Sequence, residues 1–259
     1  MTRARSEVQT TVARAAASAA LVAVAAGFVF TARGSANDVG PLNMALTGEA
    51  AAAVVSSSGA QWDLPNLDHD HVDTWIERFT TSKTLRPRFA IWLERKPNFE
   101  PMISQKLADR GMPQDLIYLA MIESGFNPKA YSHAHAGGLW QFIAETGKRY
   151  GLTINKRVDE RNVPEKATDA ALAYLSDLHD RFGSWYLAAA AYNTGENRVG
   201  RHMRNVTGSE RGTDADYYRI SHLLPRETRD YVPMMIAAAR IAKEPARYGF
   251  ESGESMGAD

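Results

Sequence analysis

Apolar residues recur at three- and four-residue intervals along most of the chain from Trp62 to Phe250. That is the period of a helix with one buried face. VDTWIERF places Val72, Trp75, Ile76 and Phe79 on one stripe, and RFAIWLERK does the same with Phe89, Trp92 and Leu93 before Pro97 breaks the pattern. PMISQKLADRGM predicts a helix closed by Gly111, and LWQFIAETGKRYG a short one closed by Gly147 or Gly151. Residues 164–183 show the clearest amphipathic stripe: Ala167, Ala171, Tyr174, Leu175, Leu178 and Phe182, with Pro164 at the start and Gly183 after the end. SWYLAAAAYNTG and residues 227–243 predict two more helices, the second kinked at Pro233. No stretch alternates with period two, so strands are expected to be few or absent. The pattern predicts one all-α domain over residues 62–250.

One segment departs from the amphipathic pattern. MPQDLIYLAMIESG is apolar on every face from Leu116 to Ile122, then reaches Glu123, Ser124 and Gly125. A helix without a polar face is expected to be buried all round. Leu116, Leu119, Ala120 and Glu123 fall at i, i+3, i+4 and i+7, so the carboxylate continues an apolar stripe. Desolvation there, and the negative end of the helix dipole, both raise a carboxyl pKa and suit it to general acid work. The competing reading is a solvated residue at a fraying helix end.

Outside the domain the pattern changes. Arg3, Arg5 and Arg14 precede an uncharged, alanine-rich run over residues 15–32, followed by the small residues Gly34, Ser35 and Ala36. Residues 1–36 therefore read as a signal peptide or N-terminal membrane anchor, which directs the remainder out of the cytoplasm. Residues 37–61, rich in Ala, Ser and Gly, read as a flexible linker, and residues 251–259 as a disordered tail.

Composition narrows the chemistry. With 30 basic and 30 acidic residues and no net charge, no global field favours nucleic acid. The absence of cysteine removes disulfides, thiol nucleophiles and thiolate metal sites. His69-Asp70-His71 has no evident third ligand and sits at a helix start, where capping is expected rather than metal binding. No phosphate-binding loop is present, and no metal or cofactor is expected.

Two further segments carry polar groups beside tightly packing residues. HAGGLWQF, His135 to Phe142, combines paired glycines with Trp140 and Gln141; AAAAYNTG, residues 188–195, ends four alanines on Tyr192 and Asn193. Each alone reads as a close backbone approach or a tight helix crossing with a polar cap.

In order, ESGFNPKAYSHAHAGGLWQF, TGKRYGL, DERNVPEKATDAALAYLSDLHDRFGSWYLAAAAYNTGENRV and LPRETRDYVP resemble the lytic transglycosylases of glycoside hydrolase family 23, above all their membrane-bound murein D type. The resemblance runs from about Trp62 to Phe250. It implies a goose-lysozyme-like domain of the lysozyme superfamily, acting on peptidoglycan glycan strands in the periplasm. It further implies cleavage of the β-1,4 bond from N-acetylmuramic acid to N-acetylglucosamine, leaving 1,6-anhydromuramoyl ends. On this likeness Glu123 is the single acid/base, and Ser124, Gly138, Leu139, Gln141, Tyr192, Asn193 and Tyr231 line the substrate site. Most glycosidases use two carboxyl groups. Here only Glu123 is expected in a dry setting; Asp159, Glu160, Glu196 and Asp230 sit among polar neighbours. A hydrolytic muramidase and a non-catalytic wall-binding protein are the competing readings. One segment departs from the family: HAHAG stands where a small-residue run containing Gly-Ala is usual.

Overall fold

The computed structural model describes residues 61–250. The expected signal or anchor (residues 1–36), the expected tail (251–259) and all of the expected linker (37–61) except Gln61 lie outside the described residues. Among the described residues the elements are helices, and the only β pairing is three isolated bridges. No described helix is long and apolar enough to cross a membrane.

The described residues form ten α-helices: α1 (Asp70–Thr81), α2 (Leu85–Arg95), α3 (Glu100–Ala108), α4 (Ile117–Ser124), α5 (Ala144–Arg149), α6 (Pro164–Phe182), α7 (Trp185–Thr194), α8 (Glu196–Thr207), α9 (Asp214–Ser221) and α10 (Arg226–Lys243). The predicted stripes are buried: Val72, Trp75 and Phe79 on α1, Phe89 and Trp92 on α2, and all six positions on α6. Caps follow the residue types. His69 is the N-cap of α1, its Nδ1 accepting from the His71 N–H at 3.2 Å. Ser184 caps α7 by accepting from Leu187 N–H. Gly183 ends α6 in the left-handed conformation.

Helix α4 is buried along its whole length from Ile117 to Glu123. It packs against α10 and α3, while α10 also packs on α1 and α7. Alanines make these crossings close. Ala188 to Ala191 and Ala237 to Ala239 are fully or almost fully buried, so helix backbones approach without large side chains between them.

Pro233 lies inside α10, and the helix runs through it. Proline supplies no N–H, so the Arg229 carbonyl loses its helical donor. The Tyr217 hydroxyl takes that place, donating to Arg229 O at 2.7 Å and to Thr228 O at 3.0 Å.

Three expectations need correction. Helix α3 stops at Ala108, short of Gly111; the chain turns back there, with Met112 N–H donating to Leu107 O and Gly111 at φ +61°. Leu139 to Phe142 form a turn, and the short helix starts only at Ala144. The cause is Gln141, whose φ of +48° is incompatible with a right-handed helix, while Gly137 and Phe142 exchange two backbone hydrogen bonds across the turn. Finally, Glu123 is not the only dry carboxylate. Asp115 is 4% exposed. Its Oδ2 accepts from the Asp63 and Leu64 N–H groups, and its other oxygen pairs with Lys243 Nζ. Sequence pattern missed it because its charge partner lies at the far end of α10.

Candidate active site

Glu123 stands on the last turn of α4. Two residues on, Gly125 takes φ +57° and ends the helix. A side chain there would meet more than strain: a Cβ would sit 2.1 Å from the Trp92 indole. The closeness of Trp92 and the left-handed turn together require glycine. Phe126 follows with φ +55° and is fully buried, a second left-handed residue in succession. Non-glycine residues held there cost free energy, which the surrounding packing offsets.

The Glu123 side chain is 3% exposed. Its Oε1 accepts from the Tyr231 hydroxyl at 2.5 Å, and its Oε2 is buried with no hydrogen-bond partner among the described residues. Burial pushes the carboxyl up to about 8; the Tyr231 hydrogen bond opposes this, and the nearby Glu227 charge adds to it. Near pH 7 the group therefore holds a proton. Tyr231 and Tyr192 are raised well above the usual tyrosine range, by burial first and by the Glu123 charge second. Both stay neutral donors.

A loop and two helices surround the acid. Tyr192, on α7, is half-buried and donates to Trp140 O at 2.8 Å. Asn193 is 3% exposed; its Oδ1 accepts from the Thr228 hydroxyl at 2.7 Å and its Nδ2 reaches Glu227 Oε1 at 3.5 Å. This joins α7 to the first turn of α10, three residues before Tyr231.

The loop from Ala130 to Phe142 is tied to the acid's helix by Ser124. Its hydroxyl donates to Leu139 O at 2.8 Å and accepts from Asn127 N–H at 3.2 Å. Leu139 is fully buried. Gly138, at φ +82°, has no room for a Cβ, which would fall 1.7 Å from the Arg161 carbonyl oxygen. Gln141 donates through Nε2 to Gly138 O at 2.8 Å and Ala130 O at 3.2 Å, leaving Oε1 buried without a partner. Glu123, Ser124, Gly138, Leu139, Gln141, Tyr192, Asn193 and Tyr231 thus belong to one connected neighbourhood. Gly138 and Leu139 act in it through backbone contacts, Ser124 through its hydroxyl.

Three participants escaped the sequence reading. Arg161, 4% exposed, pairs with Asp159 at 2.6 Å and donates to the carbonyls of His135 and Phe142, pinning the loop. Thr228 and Glu227 bracket Asn193. Thr228 and Glu227 lie in the ETRDYV segment beside Tyr231, a signal that proximity in sequence could have supplied. Arg161 offered no signal, because an arginine reads as solvent-facing until its acceptors are known.

The other candidate carboxylates are neutralised. Asp159 pairs with Arg161, Glu160 with Lys166, and Glu196 with Arg149 and Tyr174. Asp230 lies 3.9 Å from Arg226. A cavity of about 440 Å³ lies elsewhere, lined by Lys96, Glu100, Asp115, Tyr118 and Lys243 among others, and none of the residues around Glu123 lines it.

Residues 100–214 match the family described as Transglycosylase SLT domain. The match takes in 115 of the chain's 259 residues. The matched positions run from the start of α3 to the start of α9; they include Glu123, Ser124, Gly138, Leu139, Gln141, Arg161, Tyr192 and Asn193 and leave out Glu227, Thr228 and Tyr231. Over 148 residues the chain is 40% identical to membrane-bound lytic murein transglycosylase D of Escherichia coli strain K12, covering 57% of this chain and 32% of that protein. Peptidoglycan transglycosylase gp16 of Escherichia phage T7 is 40% identical over 100 residues, 37% of this chain and 8% of that one. A solved structure of the lytic transglycosylase Slt from Pseudomonas aeruginosa has a TM-score of 0.46 at 27% identity, covering 57% of this chain and 24% of that chain. The chain thus spans about a third of the E. coli relative's length.

Proposed function

We propose that the chain is a peptidoglycan lytic transglycosylase. It cleaves the β-1,4 bond between N-acetylmuramic acid and N-acetylglucosamine and leaves 1,6-anhydromuramoyl ends. The reading is supported by the SLT domain and by relatives named for murein or peptidoglycan transglycosylase activity. The observation that carries it is Glu123: a buried carboxyl held near 8, fixed by Tyr231 on one oxygen and without a protein partner on the other.

In this reading the protonated Glu123 gives its proton to the glycosidic oxygen as the bond to C1 breaks. The substrate's N-acetyl group stabilises the oxocarbenium-like centre. The carboxylate then takes the proton from the C6 hydroxyl, whose oxygen bonds to C1. One acid serves both steps, so the second carboxylate of ordinary glycosidases is not needed. The internal hydroxyl starts with a high effective molarity, which favours it over water. Ser124, Gly138, Leu139 and Gln141 form the loop wall of the substrate site, and Tyr192, Asn193 and Tyr231 its helical wall. The work is placed in the periplasm, with residues 1–36 serving as export signal or inner-membrane tether.

The test is product analysis. Peptidoglycan digested with the full chain and resolved by mass spectrometry should give anhydro-ended fragments, 18 Da lighter than hydrolytic ones by the loss of water. Reducing-ended fragments would make the protein a muramidase, and no fragments a wall-binding protein. Glu123→Gln should abolish cleavage with the helical circular dichroism unchanged.

A further inference from the structure

The segment that departs from the family, HAHAG, borders an exposed aromatic ring. Tyr131 is 60% exposed, the highest exposure among the large hydrophobic side chains left at the described surface. It is nevertheless held on several sides. Its hydroxyl lies 3.1 Å from His135 Nδ1. Its backbone bridges Gly137. The Arg161 guanidinium carbon lies 5.7 Å from the ring centroid, over one face.

His135 is held as firmly. It sits at φ +61°, a left-handed conformation that a non-glycine residue adopts at a cost. The buried Arg161 fixes its carbonyl at 2.7 Å, and the His135 N–H donates to Ser132 O at 2.9 Å. A tight turn therefore directs an imidazole onto the hydroxyl of an exposed ring. Surface tyrosines without a role are ordinarily free to rotate, and fixing one gains little stability when most of the ring stays wet.

The ring is continuous with the acid's surroundings. The carbonyl of Ala130, the preceding residue, accepts from Gln141 Nε2 and from Gly138 N–H. Gln141 Oε1 is buried and has no hydrogen-bond partner among the described residues. The same loop reaches the neighbour of Glu123 through the Ser124 bond to Leu139 O.

We infer that Tyr131, oriented by His135, is a stacking platform for an N-acetylhexosamine ring of the glycan strand, forming a sugar subsite apart from the bond that is cut. A pyranose offers a face of C–H groups with hydroxyls at its rim. A tyrosine fixed at its polar end offers the matching apolar face. The inference rests on the proposed function and extends it to a substrate contact beyond the acid.

The test uses the full chain carrying Glu123→Gln, so that the probe is bound and not cut, and tetra-N-acetylchitotetraose as the probe. Binding is measured by calorimetry. Tyr131→Ala should weaken binding about tenfold. Tyr131→Phe and His135→Ala should each weaken it by about threefold, and the double variant by no more than either alone, because both remove one orienting contact. Unchanged binding in Tyr131→Ala overturns the inference, as does additive loss in the double variant. Circular dichroism and melting temperature establish that each variant is folded, as the exposure of both side chains predicts. The proposed function is judged separately, by whether the chain with Glu123 intact yields anhydro-ended fragments. If it does while Tyr131→Ala binds normally, the platform fails and the reaction stands.

Discussion

The Tyr231 hydroxyl donates to Glu123 Oε1 at 2.5 Å, across 108 residues of sequence and between two buried helices. This bond favours the charged carboxylate, while burial and Glu227 favour the protonated one. The acid is poised between opposed influences, with burial the largest.

Removing the hydroxyl shifts that balance in a known direction. In Tyr231→Phe the carboxylate loses its donor, so the Glu123 pKa moves above about 8. The alkaline limb of kcat/KM against pH, which reports the acid in the free enzyme, should move to higher pH. The plateau rate should fall because the carboxyl loses its fixed orientation. A limb that stays in place or moves down would show that Tyr231 does not control the proton.

The same carboxyl makes folding depend on pH. Its ordinary pKa is 4.5 and its folded value about 8. Below the first value both states are protonated, and the group has no effect. Between the two, the folded chain keeps a proton that the unfolded chain has lost, so stability falls as pH rises, and the full cost is reached above the second. Glu123→Gln removes this slope. It should melt close to the parent at about pH 4.5 and several degrees above it at about pH 8.5, by scanning calorimetry.

Gly125→Ala tests the helix end that presents the acid. It introduces a left-handed alanine, costing about 1 kcal/mol, and a clash with Trp92 that adds about 1–3 kcal/mol. The urea midpoint should drop accordingly with the m value unchanged. Trp92 should change its fluorescence, since the added methyl group occupies the ring's position.

Asp115 and Lys243 join the turn just before α4 to the end of α10, away from Glu123 and Tyr231. Lys243→Met leaves a buried carboxylate without its cation and should cost about 3–5 kcal/mol. Adding Asp115→Asn should restore part of that loss, because the unpaired charge disappears. Chemical denaturation of the two variants gives both numbers, and a double variant no more stable than the single one would refute the pairing.

Much of this was legible in advance, for identifiable reasons. The stripes of α1, α2 and α6 are local patterns, and burial followed them, with Ile76 and Leu93 only half-buried. Gly125 and Gly183 stop helices by a rule that needs only their own backbone. The turn at Leu139 to Phe142 was misread as helix, because nothing in Gln141's identity announces a positive φ; the Gly137–Phe142 hydrogen bonds impose it. Asp115 escaped notice because its burial depends on Asp63, Leu64 and Lys243, all distant in sequence.

The amino-acid sequence by itself determined that the domain is helical, that α4 has no wet face and that a carboxylate ends it. These follow from the spacing of apolar residues along one chain, which a helix converts directly into faces. Only the tertiary structure decided that Glu123 meets Tyr231, that Asn193 meets Thr228, and that Arg161 holds the loop before Gln141. Those pairs depend on how helices cross, and a crossing is settled by the shapes of both surfaces together. The raised pKa belongs to the same class: a carboxyl is desolvated only when other segments have closed around it.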